Sequence, residues 1–119
     1  MRNTIKLLSM LPLLALLTGC DWYEAELETH WTFDGLGCHA AGVNYVEILL
    51  EDDDGHIHET GLVPCREGSV LFRDLPEGRV RIRAWGYHSP RSGYSWELRR
   101  RIWIHDGYNV VTLDLAPVY

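Results

Sequence analysis

Apolar side chains recur at every second position along most of this sequence, and no stretch holds a helical period over three turns. A strand sends successive side chains to opposite faces, so this pattern builds one face for a core and one for water. The sharpest case places Tyr23, Ala25, Leu27, Thr29, Trp31 and Phe33 on one face and Glu24, Glu26, Glu28 and His30 on the other. The same alternation predicts a strand over 43–51 with Val46, Ile48 and Leu50 inward. It predicts another over 79–87 with Val80, Ile82, Ala84 and Gly86 inward. Shorter strands are expected at 56–62, 70–72, 96–104 and 108–115. Turn residues separate them: Asp34-Gly35-Leu36-Gly37, Asp52-Asp53-Asp54-Gly55, Arg66-Glu67-Gly68, Leu75-Pro76-Glu77-Gly78 and Asp106-Gly107, with a polar loop at 88–95. About seven short strands between such turns predict an all-β domain, an antiparallel β-sandwich.

The first twenty residues do not share the pattern. Arg2 and Lys6 precede an apolar run over 7–17, which is too short for the roughly 20 residues that span a bilayer and fits a secretory leader. Leu17-Thr18-Gly19-Cys20 resembles the lipobox of bacterial lipoproteins, in which the cysteine is acylated and becomes the mature N-terminus. The expected organisation is a removed signal peptide over 1–19, a lipidated Cys20 with a tether over 20–22, and one domain over 23–119. Two or more acyl chains hold a protein at a membrane, each buried CH₂ contributing about 0.8 kcal/mol. With no linker rich in Ser, Gly or Pro after Cys20, the domain is expected close to that membrane. Asp21 resembles the retention signal of enteric lipoproteins. That favours the periplasmic face of the inner membrane over the outer membrane.

Removal of the leader changes the charge. Arg2 and Lys6 leave with it and all 17 carboxylates stay, so the mature chain sets nine arginines against 17 carboxylates, a formal −8, and has no lysine. This balance argues against a general nucleic-acid binder, and about 100 residues argue against a multidomain enzyme. Export also implies an oxidising compartment. Cys38 and Cys65 then read as one disulfide closing a 27-residue loop. Two free thiols or a metal pair are the alternatives, and neither cysteine lies in a C-x-x-C.

Ala41-Gly42-Val43, Asp54-Gly55 and Leu75-Pro76-Glu77-Gly78-Arg79-Val80-Arg81-Ile82 resemble the transthyretin-like, carboxypeptidase-regulatory-like sandwich over about residues 27–115. Trp31-Thr32-Phe33, Cys38, Cys65 and Val111-Thr112-Leu113-Asp114-Leu115 are similar to a group of small bacterial envelope lipoproteins of unknown function. The resemblance implies an Ig-like scaffold that binds, spaces or docks other domains without catalysis.

Two constellations carry chemistry. The outward positions of 79–87 are Arg79, Arg81, Arg83, Trp85 and Tyr87, and those of 96–104 are Glu97, Arg99, Arg101 and Trp103. A hairpin with Ile82 opposite Ile102 sets Trp85 against Arg99, Arg81 against Trp103, and Arg83 against Arg101. The first two are cation–π pairs, and the third is a like-charge pair that a bound anion relieves. This face is a candidate surface for a carboxylate, a phosphate, a glycan or an acidic protein. The plainer reading is a solubilised face, arginine stems covering tryptophan rings. His56-x-His58 is the second constellation, a weak candidate for Zn²⁺ or Cu²⁺ with His30 or His39 as a remote third ligand. Glu51-Asp52-Asp53-Asp54-Gly55 lacks the EF-hand spacing and reads as a charged turn. None of Ser69, Ser89, Ser92 and Ser95 lies in a Gly-x-Ser-x-Gly, and there is no glycine-rich phosphate loop.

The expectation is a lipid-anchored, non-catalytic binding or assembly module of the cell envelope. It is expected to need no cofactor, to partner an envelope protein or glycan, and not to bind nucleic acid. A metal-handling or ligand-sensing accessory protein using His56 and His58 is the alternative, and a purely structural envelope component is the third.

Overall fold

The computed structural model describes residues 23–119. The expected leader, the tether and Cys20 lie outside the described residues. Among the described residues no helix is long and apolar enough to cross a membrane.

The described residues are all-β apart from two short turns of helix. Their elements are β1 (Ala25–Phe33), α1 (Cys38–Ala41), β2 (Tyr45–Glu51), β3 (Ile57–Glu59), β4 (Val63–Pro64), a 3-10 turn (Cys65–Glu67), β5 (Ser69–Leu75), β6 (Gly78–Tyr87), β7 (Tyr94–Ile104) and β8 (Gly107–Pro117). The strands follow one another in the order β3-β2-β6-β7-β8-β1-β5, with β4 against β2. The alternating positions do fall on a buried face. Ala25, Leu27, Thr29, Trp31 and Phe33 of β1, Val46, Ile48 and Leu50 of β2, and Val80, Ile82 and Ala84 of β6 are all buried and share one core.

The sheet is mixed, not purely antiparallel. β1 runs parallel to β8 over nine positions, from Ala25 opposite Gly107 to Phe33 opposite Leu115, and antiparallel to β5 on its other side. Alternation decides which face a residue occupies, but it carries no information on strand direction. The link between β7 and β8 is short, with Trp96 opposite Pro117 and Glu97 opposite Ala116. Beyond it the strands part. Arg100, on the core-facing parity of β7 between Leu98 and Ile102, crosses the gap to donate from Nη1 to the Thr112 carbonyl at 3.0 Å. Its guanidinium thus satisfies a backbone carbonyl on the strand that β7 has left.

From Ile82 onward the inward residues of β6 shrink, to Ala84 and then Gly86, and the space goes to aromatic rings from other strands. A Cβ at Gly86 would lie 3.0 Å from Phe33 Cε1 and 3.3 Å from Trp96 Cβ. Those two rings meet edge to face at 5.6 Å. Gly78 opens the same strand with φ +142°, and a Cβ there would lie 2.7 Å from Asp53 Cγ. Glycine alone fits that backbone and that contact.

The disulfide joins Cys38 of α1 to Cys65 of the 3-10 turn, with Cα atoms 6.0 Å apart. The chain-entropy model gives about 3–4 kcal/mol for closing a loop of that length. Trp31 Nε1 donates to the Cys65 carbonyl at 3.0 Å, so the staple is also hydrogen-bonded to the core strand. A short helix occupies 38–41, and the strand expected from 43 starts two residues later. Gly42 ends the helix in the left-handed region, and β2 begins at Tyr45.

Candidate functional site

The outward face of β2, β6 and β7 collects the charge. β6 and β7 pair with Val80 opposite Ile102, so Ile82 faces Arg100 and not Ile102. The register differs from the expected one by two residues. A two-residue slip leaves every side chain on its face, so the hydrophobic pattern cannot detect it. Tyr87 opposite Tyr94 and the irregularity between Gly86 and Tyr87 set the pairing from the loop end. Neither expected cross-strand cation–π pair forms, and Arg83 does not face Arg101. Arg81 is opposite Arg101, Arg83 is opposite Arg99, Trp85 is opposite Glu97, and Arg79 is opposite Trp103.

The correction intensifies the charge. Two like-charge cross-strand pairs stand in adjacent rows where one was expected. On β2, Glu51 stands beside Arg81, and Leu49 beside Arg83. Glu51 Oε1 lies 3.6 Å from Arg81 Nη1, with the arginine side chain exposed and the glutamate half-buried. Arg83 lays its guanidinium over Trp85, 5.0 Å from the ring centre, on its own strand. Among the described residues neither Arg99 nor Arg101 has a carboxylate partner. Leu49, Glu51, Arg81, Arg83, Arg99 and Arg101 line an open groove of about 580 Å³.

Arg83 and Leu49 also border a second groove of about 470 Å³ with Glu47, Trp85, Tyr87 and Tyr94. Here Tyr94 lies 6.4 Å from Trp85 and 6.2 Å from Tyr87, centre to centre. The Tyr87 hydroxyl donates to Glu47 Oε1 at 2.9 Å. Burial and the Glu47 carboxylate push the Tyr87 phenol up to about 12, so it stays a donor at any physiological pH. Trp103, 59% exposed, ends the face beside Arg79. The whole arrangement presents fork-shaped cations with aromatic flanks, suited to bidentate contact with carboxylate or phosphate oxygens.

The histidine pair sits elsewhere and does another job. The Asp52 side chain is 1% exposed, and both imidazoles turn toward its Oδ2. His58 Nε2 is 3.0 Å away and hydrogen-bonded, while His56 Nδ1 is 3.7 Å away. Asp52 Oδ1 accepts from the backbone N–H of Asp54 at 2.9 Å and of His56 at 3.0 Å. Burial pushes this carboxyl up, but the His58 bond and the two backbone N–H groups outweigh burial and hold it below its usual range. His30 lies on β1, bonded to Glu28, and His39 lies in α1. No group of three metal-ligating side chains comes together among the described residues.

Asp52, Arg100, Leu49 and Glu47 were not singled out from the sequence. Asp52 carried a readable signal, because an Asp two residues before another Asp and four before a histidine can bond both backbone N–H groups in a turn. Arg100 carried one too, as a cation on an inward parity. No protein-family model matches the chain, and no curated protein matches it.

Proposed function

We propose that this chain is a lipid-anchored envelope protein that works by binding, not catalysis, and that its recognition surface is the outward face of β6 and β7. One observation carries the reading: four arginines occupy adjacent rows of one sheet face, with Glu51 as the one carboxylate among the described residues 4.0 Å or less from any of them. A fold gains nothing from like charges directly opposite each other, which cost a few tenths of a kcal/mol. A partner that supplies anions removes that cost and gains charge-assisted hydrogen bonds. Arg, Trp and Tyr are also the residues most enriched where protein interfaces concentrate their binding energy.

The finer fold reading is a transthyretin-like sandwich. Its support is the two-pair seam between β7 and β8, which lets β5-β1-β8 and β3-β2-β6-β7 act as two layers over one core. Anchoring through Cys20 rests on the lipobox resemblance. Metabolic labelling with palmitate should be lost in Cys20→Ala, and persistent labelling rejects the anchor.

Poly-L-glutamate is a suitable probe for the face. Titration of the full chain in detergent should show binding that weakens steeply with salt and disappears in Arg99→Glu/Arg101→Glu. Retained binding in that variant places recognition somewhere else on the molecule.

A further inference from the structure

The molecule has a second charged face, of opposite sign. On the outward side of β1, Glu26 and Glu28 stand at alternate positions, with Glu24 just before the strand in the same alternation. Across the sheet Glu26 is opposite Tyr108, and Glu28 lies between Val110 of β8 and Leu71 of β5. Tyr108 and Val110 are 60% and 56% exposed, and Leu71 is 36% exposed. Glu28 is tied into hydrogen bonds on this face. The Tyr108 hydroxyl donates to Glu28 Oε1, His30 bonds its other oxygen, and the phenol contact leads in holding this carboxyl below its usual range. Arg73 approaches Glu26 only to 3.9 Å. Among the described residues Glu24 has no side-chain partner.

This face and the arginine face match in three respects. Their charges are opposite. Their repeats are equal, because Arg81 and Arg83 on one strand and Glu26 and Glu28 on another each step by two residues, about 6.5–7 Å. Both place apolar groups beside the charges, exposed Trp103 and half-buried Leu49 on one and exposed Tyr108, Val110 and Leu71 on the other. Sheets stacked face to face sit about 10 Å apart, which an arginine meeting a glutamate tip to tip spans.

We propose that the arginine face binds the acidic face of a second copy of this chain, β1 of one molecule lying across β6 and β7 of the next. The proposal rests on the arginine face being the recognition surface and names its partner. Such a contact is heterologous, so each molecule keeps one face free and assembly continues into a ring or an open row. A lipid anchor confines the copies to one surface, which raises their effective concentration.

Two variants of the full chain in detergent test this by sedimentation. Arg99→Glu/Arg101→Glu disables one face, and Glu24→Lys/Glu26→Lys disables the other. Wild type should sediment as species larger than a monomer at low salt and fall back to monomer at about 0.5 M salt, where the screening length has shrunk to about 4 Å. Each variant alone should be a monomer. An equal mixture should associate beyond monomer, since one native face of each kind remains, and that rescue also shows that both variants are folded. A monomeric wild type, or a mixture that stays monomeric while both variants keep the wild-type circular dichroism spectrum, overturns the proposal. If the arginine variant loses poly-L-glutamate while wild type is monomeric, the recognition face stands and self-association is rejected. If that variant still binds poly-L-glutamate, the face reading itself has failed, and the self-association falls with it.

Discussion

Asp52 and the arginine face treat charge in opposite ways. Asp52 is one carboxylate with its side chain 1% exposed, and three donors from its own hairpin satisfy it. The arginine face holds four cations in two adjacent rows and, among the described residues, returns them one half-buried carboxylate, Glu51, and one aromatic ring. Burial makes the difference. A buried charge left unpaired costs several kcal/mol, so the fold must complete its partners internally. An exposed charge is solvated and can wait for a partner from outside. Within one small domain, internally completed charge is therefore structural, and exposed unpaired charge of one sign is available for recognition.

Removing Asp52 should have the largest effect. Asp52→Ala leaves the N–H groups of Asp54 and His56 without acceptors and should lower stability by about 2–4 kcal/mol in urea unfolding. A loss below about 0.5 kcal/mol would dissolve the contrast, because the carboxylate would then be as dispensable as the arginines. Gly78→Ala comes next. It forces a Cβ into the Asp53 side chain at φ +142° and should cost about 2 kcal/mol, read from the same unfolding curves. Acid sharpens the comparison. Asp52 is held below the usual carboxylate range in the folded chain, so its contribution is complete above about pH 4 and is lost as pH falls further. Asp52→Ala should therefore lose stability less steeply below pH 4 than wild type. Glu28 and Asp114, also held low by hydrogen bonds, keep a residual slope in both.

Face assignment was legible in the sequence because a strand's period is two and the core is one-sided. Every inward residue expected on 79–87, Val80, Ile82, Ala84 and Gly86, is buried. Direction and register were not legible. The parallel pairing of β1 with β8 and the two-residue slip between β6 and β7 both preserve the alternation, so no hydrophobic pattern distinguishes them. The outward parity of these arginines is legible in the sequence and their cross-strand pairing is not, since pairing depends on where the 88–95 loop closes. The histidine pair reads in sequence as exposed, at most a weak ligand candidate, because Asp52, the residue it turns toward, reads as one more acid in a charged turn.

The most direct test of the account is the stability of the uncharged face. Arg99→Gln/Arg101→Gln, unfolded thermally at dilute concentration and without any polyanion, should melt at or slightly above wild type, because two like-charge pairs are relieved and no internal partner is lost. A fall equivalent to more than about 1 kcal/mol would contradict the account, since it would mean that these arginines hold the fold together and are not held in reserve for a partner.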